Sequence, residues 1–277
     1  MIQEVVKASG AVEEFNRGKL LQSLLKSGVA PDIADDVANK VIAAVGPHTS
    51  TRKIFRLARK HLRRHDRTCG MRYGIKKAIF DLGPSGYPFE KYVARMFEGL
   101  GYKTQVGRTI QGFCVKHEVD VVARKEKECH LVECKFHVNG GAASDVKTAL
   151  YVWARFQDIG KIWQNNSAGE VLGKCWLVTN TRFTSDAVQF ASCTGLKAIG
   201  WKFPRGESLE NLIEAERLYP VTIFGGITRH VLDALLRRDL ILARDLYSTG
   251  TEELASLTGL DMQTLHRLKA QAGELCR

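Results

Sequence analysis

Hydrophobic positions change their period twice along the chain. Near the start, Val5-Val6 and Val12 lie on two short strands about a Ser9-Gly10 turn, and helical spacing follows. Asn16 caps a first helix with Leu20, Leu21, Leu24 and Leu25 on its apolar side, and Gly28 ends it. Pro31 opens a second helix with Ile33, Val37, Val41 and Ile42 inward, Ser50-Thr51 starts a third, and a fourth amphipathic helix spans Met71 to Phe80. Two glycines and two prolines in Asp81–Pro88 mark a boundary. A helix from Phe89 to Leu100 buries Phe89, Val93, Met96, Phe97 and Leu100. The period then drops to two, which predicts strands near 102–107, 111–116, 117–123 and 129–136. Ser144 caps a helix through Ile159 that buries Val146, Leu150, Trp153 and Phe156 and leaves Lys147 and Arg155 on its polar side. A strand over Lys174–Asn180, a helix over Ser185–Cys193 and a strand over Lys197–Lys202 complete this part. The remainder reads as helical: Leu209–Leu218, His230–Leu246, and a pair formed by Thr251–Leu260 with Leu265 and Leu268. The class is α/β multidomain, with expected domains at 1–84, 85–205 and 206–277.

Composition adds limits. With 277 residues, 44% hydrophobic and 26% charged, the chain has the make-up of an ordinary globular protein with room for two or three cores. No run of about 18 apolar residues occurs, so no membrane partner is expected. Met1-Ile2-Gln3-Glu4 lacks the basic and apolar regions of a secretory signal. Seven cysteines are scattered without a Cys-x-x-Cys pair, which argues for free thiols and a cytoplasmic setting. Residues 1–84 carry 16 basic and 8 acidic groups, residues 85–205 carry 17 and 11, and residues 206–277 carry 8 and 11. The first two thirds therefore favour a polyanion such as DNA or a nucleotide.

The chemistry centres on Asp120 and Glu133-Cys134-Lys135. Lone charges in apolar strands are expensive to bury. A divalent cation on Asp120 and Glu133 offsets that cost, and Lys135 is placed to position or deprotonate a water. The bland alternative is a pair of amphipathic strands with solvent-facing charges. His117 and His130 lack metal-ligand spacing and read as structural, while Thr179-Asn180-Thr181 either touch a phosphate or form a turn. The pattern Asp120, then Glu133-x-Lys135 after a hairpin, with Pro88-Phe89-Glu90 ahead and Trp176–Asn180 behind, resembles the PD-(D/E)xK nuclease superfamily, in its Mrr-like restriction-endonuclease branch. The resemblance spans about residues 85–205, and Val119 stands where the superfamily often has proline. It implies a restriction-endonuclease-like α/β core with a mixed sheet, Mg²⁺ (or Mn²⁺) on Asp120 and Glu133, Lys135 on the water, and Glu90 as a supporting carboxylate. Glu90 is equally read as a helix-dipole residue.

In the N-terminal segment, Lys7-x-x-Gly10, then Glu13-x-Phe15-Asn16-x-x-Lys19 before a helical bundle resembles the small α+β ATP-cone, a regulatory module that binds ATP or dATP. The resemblance implies Lys7 and Lys19 on the phosphates, Glu13 and Asn16 near base or sugar, and a polar contact from Thr51; Phe55 replaces the family's histidine. No Walker-type phosphate loop occurs, so the nucleotide is expected as a ligand rather than a fuel. The alternative is a small basic domain with solvated lysines. Separately, Arg52, Arg56, Arg59 and Arg63 share a face of the third helix. That face reads as a DNA-backbone contact through Arg56, Arg59 and Arg63, or as a solvated charge run.

Thr251–Leu260 with Leu265 and Leu268 resembles a helix-hairpin-helix unit in a small helical C-terminal domain, with packing or dimerisation as its alternative role. Together these readings imply a metal-dependent DNA endonuclease regulated by ATP or dATP, possible in restriction or defence, and a homo-oligomer. The alternative is a nucleotide-responsive DNA-binding or assembly protein on a non-catalytic nuclease fold.

Overall fold

The computed structural model describes residues 4–7, 10–163 and 169–276. The described residues divide into two compact units, one within 4–78 with 223–227, the other within 79–222 with 228–276.

In the first unit, β1 (Glu4–Val6) and β2 (Val12–Glu14) pair antiparallel, and Gly10 turns between them at φ +84°. Ser9, the other expected turn residue, lies outside the described residues. The Asn16 side chain accepts the Lys19 amide at 2.9 Å and so starts α1 (Arg17–Leu25). Pro31 opens α2 (Pro31–Ala43). A short strand that the pattern missed, β3 (Thr49–Ser50), runs parallel to β1 and leads into α3 (Thr51–His65). Two residues are too few to show a period. Ile54, Ala58 and Leu62 turn α3 onto Leu20, Leu24, Val37 and Val41, leaving most of its cations outside. The helix expected over Met71–Phe80 is two short ones, α4 (Arg67–Arg72) and α5 (Ile75–Phe80). Asp66 caps the earlier start by accepting the Cys69 amide. Gly74 sits at the break, where a Cβ would lie 3.0 Å from the Arg59 guanidinium carbon.

The second unit begins with α6 (Tyr87–Gly99) and a five-stranded mixed sheet. The expected strands at 102–107 and 111–116 are one strand, β4 (Lys103–Gln111), followed by a turn at 112–115. Gly107 sits inside β4 at φ +63°, open to glycine, and the ladder continues past it. Next come β5 (Lys116–Lys125) and β6 (Glu128–Lys135), joined by a two-residue turn. After β7 (Ala143–Ser144) come α7 (Val146–Trp163), β8 (Val171–Thr179), β9 (Arg182–Phe183), α8 (Ser185–Thr194) and β10 (Lys197–Ile199). Strand order is β10-β8-β6-β5-β4, with β10, β8 and β6 parallel and the hairpin strands antiparallel. On one face Phe97 of α6 meets Trp176 edge-on at 5.4 Å; on the other, α7 packs over Cys175 and Leu177.

Two features of α7 differ from expectation. Asp145, not Ser144, accepts the Thr148 amide, because Ser144 is taken into β7 beside β9. The buried stripe is Ala149, Val152 and Ile159, and Leu150 stands 47% exposed. That rotation carries Arg155 inward.

The C-terminal part holds α9 (Leu209–Ala215), α10 (Arg229–Leu236), α11 (Ala243–Ser248), α12 (Thr251–Thr258) and α13 (Met262–Cys276). The single helix expected over His230–Leu246 is broken, with Asp239 at φ +56°. Asp245 rewards the break: it is buried, accepts the Ile241 and Leu242 amides at 3.1 and 2.9 Å, and pairs with Arg95 of α6 at 2.6 Å. Gly259 turns α12 into α13 at φ +70°.

Candidate active site

The ladder between β5 and β6 has its last registered pair at Val121 and Val132. Just beyond it, Asp120 Oδ2 accepts the Cys134 amide at 2.7 Å. A carboxylate thus stands where a strand carbonyl would otherwise be, and it is drawn against the triplet that carries Glu133 and Lys135. Val119 and Val122 both join the buried cluster with Leu131 and Ile159, so the simple alternation slips at Asp120. Glu133 is partly buried and Lys135, the last residue of β6, is exposed. Glu90 lies in the first turn of α6, and its carboxylate is near Gly86. Phe136 anchors the end of β6 between Phe89 and Phe80, at ring separations of 5.5 and 6.4 Å.

The chain after β6 is held by side chains. Asn180 accepts the His137 amide and donates to the His137 carbonyl, both at 2.8 Å, and Thr179 Oγ1 donates to the Lys135 carbonyl. Thr179, Asn180 and Thr181 are buried, and their hydrogen bonds hold the bend that follows β8. His117 pairs with Asp158 and His130 accepts the Lys174 amide, as expected of structural histidines.

Electrostatics singles out the same carboxyls. Burial raises Glu133 to about 7, with the Asp120 charge adding to it. Burial also raises Glu90 to about 7, helped by Asp120, Glu118 and Glu133. Asp120 is raised mainly by burial, against the Cys134 amide that lowers it. Among the described residues no group of three or more His, Cys, Asp or Glu is gathered closely enough to hold an ion. Two carboxylates suffice for Mg²⁺, which keeps several waters. Asp120 and Glu133 fit such an ion, because a cation would offset the burial cost, and then the Asp120 repulsion, that raise Glu133.

Two contributors escaped the sequence pattern. Glu118, exposed on β5, adds its charge to Glu90 and Asp120. Arg155 of α7 reaches Glu133 Oε2 at 2.6 Å and the Glu118 carbonyl at 2.7 Å. Its signal was in the helix: Ala149, Val152 and Ile159 give a stripe with Arg155 at its flank, but the larger Leu150 drew the expected stripe away.

In the first unit, Lys7 pairs with Glu13 at 2.7 Å. Lys7, and then Lys19, hold the Glu13 carboxyl below its usual range. Asn16 is engaged as the α1 cap, and Thr51 opens α3 directly after β3, the neighbour of β1. The structure thus gathers Lys7, Glu13 and Lys19. On α3, a concavity of about 720 Å³ is lined by Arg52, Lys53, Arg56, Arg59, Lys60 and Arg63 among others. Arg56 and Arg63 are exposed there, whereas Arg59 is half-buried and donates to the Gly70 carbonyl at 3.2 Å.

Comparison with known proteins agrees with the middle of this picture. Residues 84–200 match a restriction endonuclease family, and residues 219–276 match the AF1548-like C-terminal family. The chain therefore carries a restriction endonuclease domain followed by an AF1548-like C-terminal domain. An uncharacterized protein of Archaeoglobus fulgidus is 38% identical over 180 residues, which are 65% of this chain and 97% of the relative. The crystal structure of AF1548, a protein of unknown function, shares 36% identity, covers 68% of this chain and 97% of its own, and superposes with a TM-score of 0.58. The chain belongs to this AF1548-like family of restriction-endonuclease-like proteins. No helix among the described residues is long and apolar enough to cross a membrane.

Proposed function

We propose that the protein is a metal-dependent DNA endonuclease that hydrolyses phosphodiester bonds. The observation that carries this is Asp120 docked on the Cys134 amide within a restriction endonuclease domain, beside Glu133 and Lys135. Asp120 and Glu133 would hold the ion, Mg²⁺ or Mn²⁺, through their carboxylate oxygens. When bound there, the ion supplies charge stabilisation for the phosphoryl group and a more acidic water. Lys135, exposed at the end of β6, would position or deprotonate the attacking water. Glu90 assists, its raised carboxyl suiting it to exchange a proton near neutral pH. Arg56, Arg59 and Arg63 contact the DNA backbone, Arg59 less than the other two because it also donates to the Gly70 carbonyl.

ATP or dATP binds at Lys7, Glu13, Asn16, Lys19 and Thr51 and acts as a regulator. The Lys7–Glu13–Lys19 grouping supports this, since a triphosphate would find two lysines beside the start of α1. Restriction or defence in the cytoplasm, by a homo-oligomer, is the setting this reading suggests. One observation favours a second reading, a non-catalytic DNA-binding protein on the same fold: Glu133 already has a cationic partner in Arg155. A cleavage assay on linear, supercoiled, branched and methylated DNA, with Mg²⁺ or Mn²⁺ and with or without ATP or dATP, separates the two. Metal-dependent cutting lost in Asp120→Ala supports the endonuclease. Binding without cutting on every substrate overturns it.

A further inference from the structure

Arg155 is nine-tenths buried, with 10% of its side chain exposed. Val119, Leu131, Val152 and Phe156 line the small gap beside its path. Its guanidinium carbon lies 4.6 Å from the centre of the Tyr151 ring. Nη1 donates to Glu133 Oε2 at 2.6 Å and to the Glu118 carbonyl at 2.7 Å. Nε is buried with no partner. A guanidinium so deeply buried, with one donor unsatisfied, is costly, and an ion pair of this kind is weak support for stability alone. What it touches is informative: one candidate cation ligand, and the backbone of the strand that carries the other.

We infer that Arg155 is a positioning residue for the divalent-cation site. This rests on the reading of Asp120 and Glu133 as the cation pair. A carboxylate offers two oxygens with about four lone-pair sites. Arg155 takes Oε2 of Glu133, which fixes the rotation of the carboxylate and leaves Oε1 for the ion. The Glu118 carbonyl, two residues before Asp120, ties the same guanidinium to β5. The two ligand-bearing strand ends are thereby held at one spacing, although their own ladder has no registered pair beyond Val121 and Val132. Tyr151 backs the guanidinium plane. Both acceptors are served by one nitrogen, Nη1, so a lysine ammonium would keep part of this contact but would lose the planar guanidinium that lies over Tyr151. Removing such a support behind a metal ligand typically weakens metal binding by about 10–100-fold.

The test is calorimetric titration of the full chain with Mn²⁺ in the absence of DNA, for wild type, Arg155→Ala, Arg155→Lys and Asp120→Asn. Circular dichroism reports whether each variant is folded. Arg155→Ala should raise the Mn²⁺ dissociation constant by about 10–100-fold, and Arg155→Lys should fall between it and wild type. The Mn²⁺ midpoint for cleavage should shift by the same factor, with DNA affinity unchanged. A merely structural arginine would lower the melting temperature and leave the dissociation constant of folded protein as it was; that result overturns the inference. If the alanine variant does not fold, the lysine variant decides by the same comparison. If Asp120→Asn binds Mn²⁺ as wild type does, the cation pair itself is misplaced and both readings fall. If Asp120→Asn loses binding and folded Arg155→Lys and Arg155→Ala keep it, only the role of Arg155 is overturned.

Discussion

Three carboxylates of the first unit and the three near the Asp120–Glu133 strand ends are shifted in opposite senses, whereas Asp145, Asp158 and Asp261 of the second unit are lowered. In the first unit Glu13 is lowered by Lys7, Asp35 by Arg17 and Asp36 by Lys40, all with exposed partners. In the second unit Glu90, Asp120 and Glu133 are raised, with burial the leading cause in each. Exposed pairs of opposite sign make a stable, solvated surface that exchanges partners easily. Half-buried carboxylates of like sign raise one another, and under the proposed function a cation would relieve them. The same residue types therefore differ in proton affinity between the two places, and environment decides which way each is shifted.

The most severe way to test that division is to remove the raised group. Asp120→Ala, Glu133→Ala and Lys135→Ala should each reduce cleavage by at least about 100-fold, the lower end of what a positioned acid–base group contributes. DNA affinity and the folded spectrum should stay near wild type for Asp120→Ala and Lys135→Ala. Normal turnover in any two of the three would place the chemistry elsewhere.

The first unit offers a weaker but cleaner handle. A triphosphate bound only to the folded state stabilises it by mass action, about 2.7 kcal/mol at 100 times its dissociation constant. ATP or dATP should therefore raise the melting temperature, and Lys19→Ala should remove most of the rise. Calorimetry that detects no binding of either nucleotide at millimolar concentration would end the regulatory proposal and leave the second unit untouched.

The α3 surface should respond to salt. If Arg56, Arg59 and Arg63 each neutralise a phosphate, the triple alanine variant should lose about 0.9 of logarithmic salt slope per contact on any duplex. Arg59 already donates to the Gly70 carbonyl, so a loss of two contacts rather than three is the expected value. An unchanged slope would make α3 a solvated face only.

Legibility in the sequence followed the same division. Asp120, Glu133 and Lys135 stood out because charges interrupt an apolar period of two, and the hairpin that joins them was equally plain. Asn16 and Gly28 marked α1 because caps are local. What was hidden depends on tertiary contact. Arg155 looked solvent-facing because Leu150 outweighs Ala149 in any stripe read by size, yet Leu150 is the exposed one. β3 has two residues and exists only because β1 lies beside it. The division of His230–Leu246 into two helices follows from Asp245, whose value as a buried cap needs Arg95 from a distant part of the chain. The strands expected near 102–107 and 111–116 are instead one, because Gly107 lies within β4 and is tolerated in the ladder at positive φ.

The smallest effect is the one that most directly opposes the two units, and it is read in pH. A glutamate in an unfolded chain titrates near about 4.3. Glu90 in the folded protein is raised to about 7. Between those values the folded state holds a proton that the unfolded chain has released, so stability falls as pH rises through that window. The contribution is fully present below the unfolded value and gone above about 7. Glu13, lowered by Lys7, works the other way: its contribution is present above the unfolded value and lost as pH falls. Urea unfolding of cation-free protein at pH 5 and pH 8 should show wild type losing stability at the higher pH and Glu90→Gln losing less, since glutamine stays neutral throughout. Glu13→Gln should leave that alkaline loss in place and weaken the protein only where its carboxylate is ionised. Saturating Mg²⁺ should reduce the alkaline loss in wild type, because the ion binds the deprotonated carboxylates. A Glu90→Gln variant that tracks wild type across the whole range would show that Glu90 is not the group burial has raised, and would take it out of the site.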